Sequence, residues 1–233
     1  MAIRQHSKLN LLSSGCVSLD RMLQGGLKPK QLALIYGEAA TGKTTLALQY
    51  TINCARKGYV IIYIDTDGTF PSKRFKQMAS DYENIAPQIG ILTPKDFFQQ
   101  TILFENLDAY ITDKTGLIVV DTINSLYRLE VNHSQRFTYK EFNRNLAYLA
   151  SVSKKYALPI LLTSQVHAQI QKPSQTEKIE PVATRTLNFW ASTIMKLQSH
   201  HKPNVKTAFL ERQGGKNYSN IYCLIRFTNR GVF

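Results

Sequence analysis

The stretch Gly37-Glu38-Ala39-Ala40-Thr41-Gly42-Lys43-Thr44 decides how this chain is read. It fits G-x-x-x-x-G-K-[ST], the pattern of a loop whose backbone N–H groups cradle phosphates. Before it, Leu32-Ala33-Leu34-Ile35-Tyr36 is a short apolar run of the kind a buried strand shows. After it, Thr44-Thr45-Leu46-Ala47-Leu48-Gln49-Tyr50 suits a helix with Leu46 and Tyr50 on one face. Strand, glycine loop and helix follow in the order the chemistry needs. Gly37 and Gly42 are expected to let the backbone curl so that its N–H groups point inward, and the helix N-terminus adds partial positive charge. The expected nucleotide-binding residues are Gly37, Glu38, Ala39, Ala40, Thr41, Gly42, Lys43, Thr44 and Thr45. Lys43 would reach the β- and γ-phosphates of ATP, and the Thr44 hydroxyl would bind Mg²⁺.

The rest of the chain bounds this reading. It has 233 residues, 43% of them hydrophobic, enough for one large α/β domain with a proper core. Lys and Arg number 29 against 16 Asp and Glu, a formal charge of +13. Such a balance suits a polyanion, and nucleic acid is the first candidate partner. No basic amphipathic terminal helix stands out, so a membrane surface is disfavoured. Cys16, Cys54 and Cys223 are scattered and form no C-x-x-C, which argues for a reducing compartment and against a zinc site. No stretch approaches the length of a membrane span and the start has no signal-like apolar core, so the expected location is cytoplasmic.

Read in order, residues 1–17 form an irregular lead-in with a short strand at 9–12. Ser18 is expected to cap a helix over 19–23 that Gly25-Gly26 ends. Pro29 turns the chain into the first core strand. Strands are expected at 59–64, 90–92, 117–121 and 159–163, and helices at 72–82, from Asp96 with Phe97, Thr101, Phe104 and Leu107 at helical spacing, and at 138–156. The second strand ends in Asp65-Thr66-Asp67-Gly68, a polar cluster where α/β proteins keep their sites. Leu117-Ile118-Val119-Val120-Asp121 has the Walker B form, and Asp121 at its end would orient the Mg²⁺ hydration shell. The polar, Pro-punctuated stretch 168–184 reads as a loop. Strands at 192–197, 205–211 and 221–228 alternate as antiparallel partners at one sheet edge, with Gly214-Gly215-Lys216-Asn217 as the last turn.

Several stretches together resemble the RecA/RadA recombinase family. They are Ser14-Gly15-Cys16-Val17-Ser18-Leu19-Asp20-Arg21-Met22-Leu23-Gln24-Gly25-Gly26, the loop at 37–44, Tyr63-Ile64-Asp65-Thr66-Asp67-Gly68-Thr69-Phe70, Asp121-Thr122-Ile123-Asn124-Ser125-Leu126-Tyr127-Arg128, and Ser164-Gln165-Val166-His167. The tail, with Ile225-Arg226-Phe227-Thr228-Asn229-Arg230-Gly231, resembles the short archaeal paralogues of RadA. The resemblance covers nearly the whole chain. It implies a single RecA-like P-loop NTPase domain over 1–233, a mostly parallel sheet flanked by helices with antiparallel C-terminal strands at one edge. The chain is expected to have no room for the N-terminal helical domain or polymerisation linker of full-length RadA.

The resemblance also implies roles. Thr44 and Asp121 match the magnesium pair, Lys43, Asp67 and Gln165 the catalytic set, and Arg74 an arginine that stacks on adenine. Gln165 would sense the γ-phosphate and couple it to the following loop, since an amide can both donate and accept. Two positions depart from the family. Asp67 stands where Glu is usual; it is about 1.5 Å shorter, and misplacement of that size can slow hydrolysis on the order of a hundredfold. Trp190 stands where filament-forming members often carry a His that contacts ATP across subunits. Two loops would face DNA: 129–138, flanked by Arg128 and Lys140 and containing His133 and Arg136, and 168–184, with Gln169, Gln171, Lys172 and Lys178, and Arg185 just beyond. Their cations would neutralise phosphates without reading sequence, and Phe137 and Tyr139 are the aromatics beside the first loop.

The function this implies is an ATP-binding, DNA-binding RadA paralogue in DNA repair and homologous recombination, a weak ATPase with no strand exchange of its own. Single-stranded or branched DNA, a RadA recombinase, a junction-processing nuclease and further copies of the chain are its expected partners. The competing reading is a KaiC-like regulatory nucleotide-binding module without a direct DNA role. A DnaB-type helicase core is a third. Arg212, Lys216, Arg226 and Arg230 are all candidates for a finger acting on a neighbouring subunit's nucleotide, and no spacing chooses among them.

Overall fold

The structure, a computed structural model, describes residues 10–131, 135–165 and 182–233. Its elements run α1 (Val17–Met22), β1 (Leu32–Gly37), α2 (Lys43–Arg56), β2 (Val60–Asp65), α3 (Ser72–Met78), α4 (Tyr82–Ile85), β3 (Ile89–Leu92) and α5 (Phe97–Glu105). Then come β4 (Thr115–Asp121), α6 (Ser125–Glu130), α7 (Gln135–Tyr156), β5 (Ile160–Gln165), α8 (Val182–Trp190), β6 (Thr193–Ser199), β7 (Val205–Gln213), β8 (Lys216–Thr228) and β9 (Gly231–Val232).

Among the described residues the strands form one sheet in the order β3-β2-β4-β5-β1-β6-β7-β8-β9. All neighbours from β3 to β6 are parallel, and those from β6 to β9 are antiparallel. The continuous apolar runs follow from burial on both faces. Ala33, Ile35, Ile61, Tyr63, Leu117 and Val119 face a core with Leu46, Tyr50 and Leu19. Leu34, Ile62, Ile64, Ile118 and Val120 face a second core with Phe104, Phe142, Leu146 and Leu187. Side chains that alternate along each strand thus fill two cores from one sheet.

Some boundaries match elementary chemistry. Asp96 caps α5, its carboxylate accepting from Gln99 N at 2.7 Å. Gly58, at φ +83°, follows the end of α2. Gly214 and Gly215, at φ +58° and +83°, form the two-residue turn between β7 and β8, as a twisted hairpin requires.

Other expectations change. Ser18 does not cap α1; the N-cap is Cys16, without a side-chain bond, and the Ser18 hydroxyl donates to Leu224 O at 3.2 Å. Asp20 instead organises the entry, accepting from the backbone of Ser14 at 2.7 Å and Gly15 at 3.2 Å. The helix expected over 72–82 is two, α3 and α4, with Ala79 extended between them. The strand at 9–12 reduces, among the described residues, to a bridge between Leu12 and Leu27. The first of the C-terminal strands, β6, is parallel to β1, so the antiparallel portion begins at β7. Residues 182–184, expected in a loop, open α8, which buries Ala183 and Leu187 against the second core. The rest of that loop, 168–181, lies outside the described residues.

Candidate nucleotide site

Parallel register gathers the polar residues at the C-terminal ends of the strands. Gly37 of β1 stands level with Gln165 of β5, and Asp65 of β2 with Asp121 of β4. No two of these are close in sequence.

The loop at 37–44 joins β1 to α2. Gly42 caps α2 at φ +96°, and Ala40 also turns left-handed at φ +60°. The cap offers no side-chain bond and the first turn has no acidic residue. The orphan N–H groups of that turn and the positive end of the helix therefore suit an anion. Gly37 has a different reason to be glycine from the one expected. Its φ is not left-handed, but a Cβ there would lie 2.3 Å from the Leu197 carbonyl oxygen. It is needed for close approach to β6.

Lys43 is only 5% exposed, and its ammonium donates to Glu38 O at 2.7 Å and Gly37 O at 3.0 Å. Burial pulls its pKa down, opposed by the nearby Asp121 carboxylate. Asp121 is 7% exposed and accepts from three hydroxyls. Thr44 donates to its Oδ1 at 3.3 Å, Tyr63 to its Oδ2 at 2.7 Å, and Thr163 also to Oδ1. Burial and the Asp121 charge push the Tyr63 phenol well above its ordinary pKa, so it stays a donor. Thr44 and Asp121 offer a hydroxyl and a carboxylate within 3.3 Å. That is a hard oxygen pair of the type Mg²⁺ takes while keeping waters or phosphate oxygens as its other ligands. Tyr63 and Thr163 carried no signal in the sequence beyond their places in apolar strands; strand register brings them to Asp121.

The neighbouring turn is organised from within. Asp65 is buried, and burial raises its pKa against the lowering effect of backbone N–H groups of Phe70 and Asp67. The Thr66 hydroxyl bridges to Thr122 O at 2.6 Å and Ser125 Oγ at 2.7 Å. Asp67 itself is exposed. Gln165 is half-buried, and its main-chain carbonyl accepts from Asn124 Nδ2 at 3.3 Å.

Arg74 of α3 reaches across to the C-terminal strands. It donates to Thr228 O at 2.7 Å and Asn229 O at 3.4 Å. With Pro203, Asn204, Arg226, Phe227, Thr228 and Asn229 it lines a cavity of about 570 Å³. Phe227 also touches the P-loop: a Cβ on Gly42 would lie 2.4 Å from its ring. The cavity therefore adjoins the loop at 37–44.

The expected DNA-facing residues divide. Arg128 is half-buried on α6, while Arg136 and Lys140 are exposed four residues apart on α7, hence on one face. Arg185 is exposed on α8. Lys172 and Lys178, with His133, Gln169 and Gln171, lie outside the described residues. Phe137 is 64% exposed and Phe189 77%. The sequence does not single out Phe189, because its segment shows no strand pattern and little helical periodicity. Trp190 donates to Asn143 Oδ1 at 2.8 Å and ties α8 to α7. Among the finger candidates, Arg212 is engaged by Asn217 and the Asn188 carbonyl, whereas Lys216, Arg226 and Arg230 are exposed.

Comparison with known proteins supplies the lineage. A family model described as Rad51 matches residues 5–208. The DNA repair and recombination protein RadB of Thermococcus kodakarensis is 34% identical over 226 residues, 95% of this chain and 98% of that protein. RadB of Methanococcoides burtonii is 34% identical over 194 residues, 82% of this chain and 84% of its own length. A crystal structure of the RadB recombinase superposes with a TM-score of 0.79 at 33% identity, covering 95% of this chain and 98% of that one.

Proposed function

The chain belongs to the Rad51 family, among the RadB DNA repair and recombination proteins, and from that premise we propose that it binds Mg·ATP at 37–45 and uses the bound nucleotide to control its grip on DNA. The observation that carries the reading is the cluster at the mouth of α2. Asp121, 77 residues beyond Thr44, meets Lys43 and Thr44 at the first turn of a helix that no side chain caps.

In this reading the first-turn N–H groups and the Lys43 ammonium hold the triphosphate. Displacing the Glu38 and Gly37 carbonyls from Lys43 would free its donors for phosphate oxygens. Thr44 and Asp121 would hold Mg²⁺, which supplies charge neutralisation at the phosphates. Tyr63 and Thr163 fix the Asp121 carboxylate so that it faces Thr44. Adenine would enter the cavity beside Arg74. That guanidinium already serves two backbone carbonyls, so its part is to wall the base as much as to stack on it.

Gln165 leads from β5 directly into the 166–181 segment, which suits a link between the nucleotide and a DNA-facing loop. Asp67 would orient water for slow hydrolysis. Exposed Arg136, Lys140 and Arg185 would contact DNA phosphates, with Phe137 and Phe189 available to stack on bases. We assign the protein weak ATPase activity, no strand exchange of its own, and a reducing cytoplasm in which its cysteines stay thiols. A RadA recombinase, a junction-processing nuclease and other copies of the chain remain the proposed partners.

The test is ATP affinity and ATP-dependent binding of single-stranded DNA, for wild type and Lys43→Ala. Wild type should bind ATP, and the variant should lose most of that affinity. DNA affinity should fall steeply with salt. Equal ATP affinity in the two proteins would sink the site assignment. An absence of DNA binding at low salt would point to the regulatory module instead.

A further inference from the structure

Both glycines of the phosphate loop are pressed from outside by the C-terminal strands. Gly37 meets the Leu197 carbonyl of β6, and Gly42 meets the ring of Phe227 in β8. At Gly42 the contact is close: an added Cβ would lie 2.4 Å from Cε1 and 2.5 Å from Cζ. Gly42 is also the residue with the least restraint of its own. It has no side chain, it adopts φ +96°, and it caps α2 with no side-chain bond.

Phe227 is held from several directions. Its N–H donates to the Asn204 carbonyl at 2.7 Å. Thr228, next in the chain, receives Arg74 at 2.7 Å. Phe227 pairs with Val232 of β9, and Val232 N donates to Gln49 of α2 at 3.3 Å. The ring is thus carried by a backbone tied to α2, to α3 and to the turn between β6 and β7. It also lines the cavity beside the cradle.

We propose that Phe227 is a positioning residue for the phosphate cradle. Its ring confines Gly42, and with it the first-turn N–H groups of α2, to the geometry that receives a triphosphate. The proposal rests on the nucleotide-binding reading above. A glycine freed of that ring regains its wide conformational range, and only the fraction of molecules with a formed cradle binds.

The experiment measures the affinity of wild type, Phe227→Ala and Phe227→Leu for ATP, inorganic tripolyphosphate and adenosine, each with Mg²⁺, by competition against a fluorescent ATP analogue. Melting curves establish which variants fold. In Phe227→Ala, ATP and tripolyphosphate should both weaken about tenfold, the cost of a cradle formed a tenth of the time, while adenosine is unchanged. Phe227→Leu should fall between Phe227→Ala and wild type. It keeps an apolar side chain packed against the core, so it carries the test if Phe227→Ala does not fold. Unchanged tripolyphosphate affinity in a folded variant overturns the proposal, whether or not ATP weakens, because the ring would then act on the base or merely fill space. Failure of wild type to bind ATP overturns the nucleotide reading and this proposal with it, whereas a wild type that binds ATP but not tripolyphosphate overturns this proposal alone. Normal wild-type binding with an unaffected Phe227 variant overturns the proposal alone.

Discussion

Replacing Tyr63 with Phe isolates a single hydroxyl in the candidate site. The ring of Tyr63 is buried and packs edge-on against Phe70, with centroids 5.1 Å apart at 87°. Phe fills the same space, so no cavity term enters. What is lost is the 2.7 Å bond to Asp121 Oδ2. Among the described residues that oxygen has no other protein donor; Thr44 and Thr163 both serve Oδ1. A hydrogen bond to a charged group contributes about 1.5–3 kcal/mol, and the acceptor left behind is buried. For a chain of this length each kcal/mol moves the melting temperature by about 2–4 °C, so about 2 kcal/mol corresponds to a drop of roughly 4–8 °C. Thermal unfolding followed by circular dichroism measures it. With Mg·ATP the variant should also bind more weakly than wild type, because the carboxylate is no longer held toward Thr44. A melting temperature within about a degree of wild type would refute the claim that a buried, fully engaged carboxylate organises this site.

The remaining expectations are narrower. Gly37→Ala should destabilise by more than about 2 kcal/mol through its clash with a backbone carbonyl, whereas Gly214→Ala, with open space around it, should cost about 1 kcal/mol for its positive φ; urea midpoints compare them, and equal costs would remove the close-approach argument. Burial raises the Cys54 thiol to about 12 and that of Cys223 to about 11. The folded chain therefore keeps protons that the unfolded chain releases above its ordinary thiol pKa. Their stabilising contribution is complete below about pH 8.5 and is lost as pH rises toward those folded values. Cys54→Ala should flatten the alkaline loss of stability, and an unchanged pH profile would contradict it. Asp67→Glu lengthens the exposed carboxylate and should raise ATP turnover by about tenfold or more. A phosphate-release assay that finds no increase removes the short side chain as the explanation of slow hydrolysis.

The β1–loop–α2 unit was legible because its signal is local: an apolar run, a glycine pattern and a helical stripe within 25 residues of one another. Asp121 was legible for the same reason, an acid at the end of a buried strand. The direction of β6 was not. Its alternation is equally compatible with parallel and antiparallel pairing, and its neighbour β1 is more than 150 residues away. Ser18 looked like a cap because hydroxyls cap helices, yet nothing local reveals that Leu224 competes for its proton. The start of α8 resembles a loop in sequence because Pro and polar residues crowd the approach to it, while among its described side chains the buried ones are Ala183, Thr186 and Leu187.

By itself, then, the order of residues determined the α/β sheet, the glycine loop between β1 and α2, and which residues are candidates for a nucleotide site. Periodicity and short-range motifs are written along the backbone, where neighbours in sequence are neighbours in space. Only the tertiary structure decided what holds that loop and its neighbours. Tyr63 and Thr163 reach Asp121, Leu197 presses on Gly37 and Phe227 on Gly42 because strand register and sheet order place them there. These contacts join segments up to 185 residues apart, from Gly42 to Phe227, and no local pattern encodes a pairing between strands.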